Sequence, residues 1–128
     1  MVNVSNAVKL ESIKSFQSTI GKLEKALTQM TEKGANTTLV EKRHKACCIG
    51  LAVLENVWDQ KLHPYTREEL AEARKVLIGL MPSIESAYAK LKEGSPQRTL
   101  LERRIKALEL AGEALEDFYE RNSTKGVE

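Results

Sequence analysis

Apolar residues recur along this chain at alternating spacings of three and four, and they do so in four separate runs. The first is Ile13, Phe16, Ile20, Leu23, Leu27 and Met30. A helix turns every 3.6 residues, so this spacing gathers one face of a helix and no face of a strand. The second run is Val40, Cys47, Leu51, Leu54 and Trp58, with Ala46, Ile49, Gly50, Val53 and Val57 beside it. Ala46–Trp58 is therefore apolar around much of its circumference, and it should form the most buried helix. The third run is Leu70, Ala73, Leu77, Leu80, Ile84, Ala87 and Leu91; the fourth is Leu101, Ile105, Leu108, Gly112, Leu115 and Tyr119. No stretch of β-branched and aromatic residues alternates with period two, so no strand is expected.

Start and stop signals separate the runs. Ser5 or Asn6 can cap the first helix, and Gly34 suits its C-terminal stop. Thr38 with Glu41, and Thr66 with Glu69, have the spacing of capping boxes. Pro64 ends the second helix, because the residue before a proline avoids the helical region. Gly94 closes the third. Ser95 then caps the fourth, with Pro96 at its first position and a competing box at Thr99 and Glu102. Pro82 interrupts the third pattern; it removes a backbone donor and crowds the Ile78 carbonyl, which predicts a kink or break between Ile78 and Pro82. Helices are thus expected over 6–33, 38–62, 67–93 and 96–121, followed by a frayed tail at 122–128. Short connections make sequential helices antiparallel neighbours. The expected fold is all-α: one domain over 1–128, an antiparallel up-down-up-down four-helix bundle with its third helix kinked near Pro82.

Composition narrows the class of function. The chain has 128 residues, 41% hydrophobic and 30% charged, which excludes a disordered chain. Two cysteines do not make a disulfide scaffold. A net charge of +2 and 5% aromatics are poor equipment for a general nucleic-acid binder. The most apolar stretch, Ala46–Leu54, is too short to span a membrane, which takes about 20 residues. Met1–Val8 lacks the apolar core of a signal peptide. The expected setting is cytoplasmic, with both thiols reduced.

Few residues carry chemistry. Glu41-Lys42-Arg43-His44 contains one Glu-x-x-His motif, but a di-metal bundle needs two. Cys47 stands three residues after His44 and would add a soft ligand, short of the four that a structural zinc takes. Cys47 and Cys48 lie in the most apolar stretch, where a thiol is inert. Trp58 and Tyr65 could line a pocket at the end of the second helix, although core packing is the simpler role for Trp58. Glu109, Glu113, Glu116, Asp117 and Glu120 read as a solvated acidic face. No phosphate-binding glycine motif is present. No enzyme, cofactor or metal is expected.

Charge placement on the expected bundle is more informative. Where helices one and three end and helices two and four begin, nine bases face four acids; the opposite end carries ten acids, Glu68, Glu69 and Glu72 among them, and six bases, Lys14 among them. Lys42, Arg43, Lys45, Arg98, Arg103 and Arg104 belong to the basic pole. Most of these cations stand near helix N-termini, against the macrodipole. An anionic partner there would meet both side chains and free backbone donors. The expected function is contact with a protein partner, an acidic one if the basic pole is used, by a monomer or homodimer. Anion or nucleic-acid binding at the start of helices two and four is the first alternative. Metal or small-ligand binding near Glu41 and His44 is the second.

Overall fold

The structure, a computed structural model, describes the backbone of residues 4–127 and side chains as far as Phe118. Four helices follow one another: α1 (Asn6–Glu32), α2 (Thr38–Asp59), α3 (Arg67–Ala89) and α4 (Pro96–Val127). No strand occurs among the described residues. Each helix packs on its sequence neighbour. α1 and α2 also both pack on α4, while α1 and α3 do not meet. The arrangement is a four-helix bundle.

Local chemistry sets the helix ends. The Ser5 hydroxyl accepts the Val8 N–H at 3.2 Å and so caps α1. At the other end Gly34 takes φ +71°, with Ala35 N–H donating to Met30 O at 2.9 Å and Gly34 N–H to Thr31 O at 3.1 Å. That pair of bonds is a Schellman motif, and glycine adopts the left-handed backbone it needs at little cost. At α3 the expected capping box is present. Thr66 Oγ1 accepts from Glu69 N at 3.2 Å, and Glu69 Oε1 accepts from Thr66 N at 3.1 Å. Ser95 caps α4 by accepting from Arg98 N at 3.1 Å, ahead of the competing Thr99 box.

Five local expectations need correction. The box at Thr38 does not form. Thr37 is the cap residue, without a side-chain bond, and Asn36 Oδ1 accepts the Thr38 N–H instead at 2.9 Å. α2 stops at Asp59 rather than 62, because Gln60 turns into the left-handed region at φ 58°. Asn56 Nδ2 donates to Lys61 O at 2.8 Å and pins that exit. α3 ends at Ala89 rather than 93, where Leu91 N–H turns to Tyr88 O at 3.1 Å. Of the expected kink or break near Pro82 the break is absent, since α3 remains helical through the proline; a kink is compatible with that continuity. α4 extends to Val127 rather than ending at 121, and Glu128 lies outside the described residues.

α2 and α4 supply most of the buried core residues, with Leu70, Ala73 and Leu77 from α3 and Phe16 from α1. Val53, Leu54 and Ala111 are completely buried, and Ile49, Leu77 and Leu115 nearly so. Burying a side chain the size of Leu54 stabilises by about 1.5–3 kcal/mol. α1 contributes little besides Phe16 to the fully buried set. α2 is deeply buried, as its double stripe predicts, and α4 matches it through Ala107, Leu108, Leu110, Ala111, Ala114 and Leu115. Tyr119, the last expected member of the fourth stripe, lies outside the described side chains.

α1 and α2 run antiparallel: Phe16 lies at Gly50, Glu24 meets His44, and Lys9 lies over Trp58. α3 and α4 do likewise, pairing Arg74 with Glu116 and Tyr88 with Arg98. α2 and α3 meet differently. Lys45 pairs with Glu69, and Lys42, Ala46 and Ile49 share a cleft with Glu68, Ala73 and Val76. The first turns of α3 thus sit against the first half of α2. In the expected alternation they would lie beside its last turns.

Candidate functional site

The six basic residues expected at one pole occupy separate neighbourhoods. Arg103 and Arg104, on α4, face α1 across a groove of about 440 Å³. Lys14 and Lys22 stand on the α1 wall, with Ser15 and Ser18 between them, and Glu11 is the one acid of the lining. Arg103 Nη2 reaches Glu11 Oε1 at 3.6 Å. The Nε of Arg104 is buried with no hydrogen-bond partner among the described residues. Leu10 and Leu100 belong to the same groove and are 59% and 57% exposed. Four cations therefore stand against one carboxylate, with two accessible leucines.

Lys42 and Lys45 line a different cleft, between α2 and α3, of about 320 Å³. It shares no lining residue with the groove. Glu68, Glu69 and Glu72 form its opposite wall, and Lys45 Nζ pairs with Glu69 Oε2 at 3.0 Å. Glu69 is held below the usual carboxylate range, first by the Thr66 backbone N–H and then by the Lys45 ammonium. Arg98 is taken up locally; its guanidinium lies 4.5 Å from the Tyr88 ring centre and 3.8 Å from Glu93 Oε1. Arg43 is half-buried and makes no ion pair among the described residues.

The single basic pole is thereby corrected. Glu68, Glu69 and Glu72 were expected at the far end, yet they lie beside Lys42 and Lys45. Lys14 was expected among the acids, yet it joins Arg103 and Arg104. What remains basic is the α1–α4 groove. Sequence reasoning missed Lys14 and Lys22 as members of it. Their spacing of eight residues, on one side of α1, was the available signal.

The contacts around His44 differ from those expected for a relay or a ligand set. His44 Nε2 lies 3.3 Å from Glu24 Oε2 and 3.8 Å from Cys48 Sγ. The carboxylate is thus Glu24 from α1 instead of Glu41, and the thiol beside the ring is Cys48. Both contacts fall on the same ring nitrogen, so no carboxylate orients the ring from its far side, as a nucleophile–base–acid relay requires. Burial pushes the Cys47 thiol up to about 11; the neighbouring Cys48 adds to this and Arg104 opposes it. Burial, then Glu24, also raises Cys48. Raised thiols supply little thiolate and react slowly. Among the described residues no group of three or more His, Cys, Asp or Glu side chains could hold a metal ion.

Trp58 and Tyr65 are both partly buried and pack against the core, the simpler role expected for Trp58. Tyr65 stacks on His63 at 5.9 Å between ring centres, and His63 tilts onto Phe118 at 5.1 Å. Lys9 covers Trp58 instead. These contacts fasten the α2–α3 connection to α4. Among the described residues no helix is long and apolar enough to cross a membrane.

Comparison of the chain with protein-family models, with curated proteins and with solved structures found no match.

Proposed function

We propose that this chain is a non-catalytic binding protein whose α1–α4 groove receives an acidic segment of a partner protein. The observation that carries this reading is the lining of that groove: Lys14, Lys22, Arg103 and Arg104 against Glu11 alone, beside Leu10 and Leu100. One exposed ion pair contributes only about 0–1 kcal/mol. Four cations along one groove act together, raise the association rate and select for negative charge. The leucines supply the non-directional part: covering each removes apolar surface from water at about 25 cal/mol per Å². A peptide carrying both carboxylates and apolar side chains satisfies both features, whereas a nucleic-acid backbone offers nothing apolar to the leucines. The unreactive thiols and the absence of a relay at His44 favour binding over catalysis. Two free cysteines suit a reducing, cytoplasmic setting.

Fluorescence anisotropy with a labelled peptide of alternating Glu and Leu tests the proposal. Binding should weaken steeply with added salt, because the contacts are charged and exposed. The double substitution Arg103→Glu and Arg104→Glu should weaken it by about tenfold or more, the equivalent of two lost exposed pairs and two new repulsions. Unchanged affinity of the double variant would refute the groove. Tighter binding of a DNA duplex than of the peptide, lost in the same variant, would replace a protein partner by nucleic acid.

A further inference from the structure

The α1–α4 groove holds more free donors than a carboxylate can use. Arg103 is already paired with Glu11 at 3.6 Å. Lys14, Lys22 and Arg104 line the same groove and make no ion pair among the described residues. The hydroxyls of Ser15 and Ser18 make no hydrogen bond there either. Lys14, Ser18 and Lys22 are exposed and follow one another at intervals of four, so they share one side of α1. Neighbours at that interval have Cβ atoms about 5–6 Å apart, a gap that a lysine side chain spans. Both ammoniums can therefore meet above the Ser18 hydroxyl. Arg104 stands on the α4 wall, and it borders Ser15 again in a small adjoining cavity.

Arg104 is the member that calls for an anion. It is half-buried, and its Nε is buried with no hydrogen-bond partner among the described residues. A guanidinium drawn partly out of water needs a counter-charge to offset its lost hydration, and no carboxylate of the fold supplies one.

We propose that the acidic segment taken up by the groove is phosphorylated, with its phosphate seated over Ser18, between Lys14 and Lys22 and facing Arg104. This rests on the groove being a site for an acidic segment, and it names the chemistry of that segment. A phosphoserine carries about −1.5 to −2 charges at pH 7 and three acceptor oxygens. A glutamate carries a single charge and two oxygens in one plane. Two ammoniums, a guanidinium and two hydroxyls, arriving from two helices, match the tetrahedral group better than the planar one. Arginine adds paired N–H bonds to phosphate, and lysine adds a point charge. Glu11 is the one group of the lining that opposes the phosphate, and Arg103 already offsets it. The accessible Leu10 and Leu100 receive apolar residues flanking the phosphate, which favours a protein segment over the free ion.

Three labelled peptides test this, alike in their leucines and different at one central position: phosphoserine, glutamate or serine. Fluorescence anisotropy on the full chain should show phosphoserine binding about tenfold or more tighter than glutamate, with serine the weakest. Lys14→Gln with Lys22→Gln replaces two exposed side chains, and circular dichroism checks that the helices persist. That variant should erase most of the tenfold advantage, and Ser18→Ala a smaller part of it. Inorganic phosphate should displace the phosphopeptide only at far higher concentration, because it brings nothing apolar to the leucines. Equal binding of the phosphoserine and glutamate peptides overturns the phosphate seat and leaves the acidic-segment reading standing. Binding of none of the three overturns both. A full advantage retained in the glutamine variant places the phosphate elsewhere and overturns the seat, and displacement by an equal concentration of inorganic phosphate overturns the protein segment.

Discussion

Gly50 of α2 lies against the side chains of Phe16 from α1 and Leu77 from α3, and replacing it tests the packing directly. A Cβ built there lies 3.0 Å from Leu77 Cδ1, 3.0 Å from Phe16 Cε1 and 3.1 Å from Phe16 Cζ. Carbon atoms pack comfortably at about 3.5–4.0 Å. Leu77 and Phe16 are 1% and 2% exposed, and the cavity beside Phe16 is small, about 20 Å³. Gly50→Ala therefore has two opposed effects. Alanine is the better helix former by about 0.8–1.0 kcal/mol. Overpacking a filled core costs about 1–3 kcal/mol. Gly21, in α1, provides the control: it is exposed, helical and has nothing within 4 Å of its Cβ position. Gly21→Ala should gain the propensity term alone. The difference between the two variants removes that term and leaves overpacking, about 1–3 kcal/mol. For a chain of this length that is a separation of about 4–12 °C in melting temperature, with Gly21→Ala the higher. Thermal and urea unfolding followed by circular dichroism measure both. If Gly50→Ala stabilises as much as Gly21→Ala, the three-helix contact at Gly50 is not as close as described.

Three further expectations follow from the caps, the proline and the thiols. Thr66→Ala removes half of the capping box and should cost about 1 kcal/mol in urea unfolding, whereas Thr38→Ala, which caps nothing, should cost far less. Pro82→Ala should stabilise by about 2 kcal/mol: an interior proline costs about 3 kcal/mol relative to alanine, and the freer unfolded chain returns up to about 1. A loss of stability in that variant would mean the proline shapes a contact that alanine cannot replace. The Cys47 thiol, raised from 9.0 to about 11 in the fold, keeps its proton more tightly folded than unfolded. Its contribution is full below pH 9.0 and is lost as pH rises towards 11, on the order of 2–3 kcal/mol. Cys47→Ala should flatten that part of the stability curve, and an unchanged slope would place the thiol in water.

Periodicity made the helices legible because each apolar stripe reports burial on one face, and burial dominates helix stability in a folded chain. The stops were legible where a residue has a single conformational use, as Gly34 does, or where two side chains satisfy each other, as Thr66 and Glu69 do. They were illegible where ordinary residues took unusual roles. Gln60 has a side chain that disfavours the left-handed region, and nothing in its identity marks it as the end of α2. The exit depends on the Asn56 side chain reaching the Lys61 carbonyl, a contact with no sequence signature. Asn36 displaced Thr38 for a similar reason: its shorter reach to the backbone two residues on competes with the box.

The basic groove was half legible, and the missing half traces to one connection. Helices joined by a few residues were assigned alternate directions, and every charge was placed at a pole on that basis. The α2–α3 connection is seven residues long, Gln60–Thr66. Extended chain advances about 3.3–3.6 Å per residue and helix about 1.5 Å. Seven extended residues reach about as far as the fourteen helical steps from Asp59 back to Lys45. The chain can therefore retrace α2 before α3 begins, and His63, packed on Phe118 and stacked with Tyr65, holds it in that course. Glu68, Glu69 and Glu72 are thereby delivered to Lys42 and Lys45. The same displacement leaves Arg103 and Arg104 without those acids and beside Lys14 and Lys22. In place of one basic pole there are thus a cleft of mixed sign between α2 and α3 and a groove of mostly positive sign between α1 and α4.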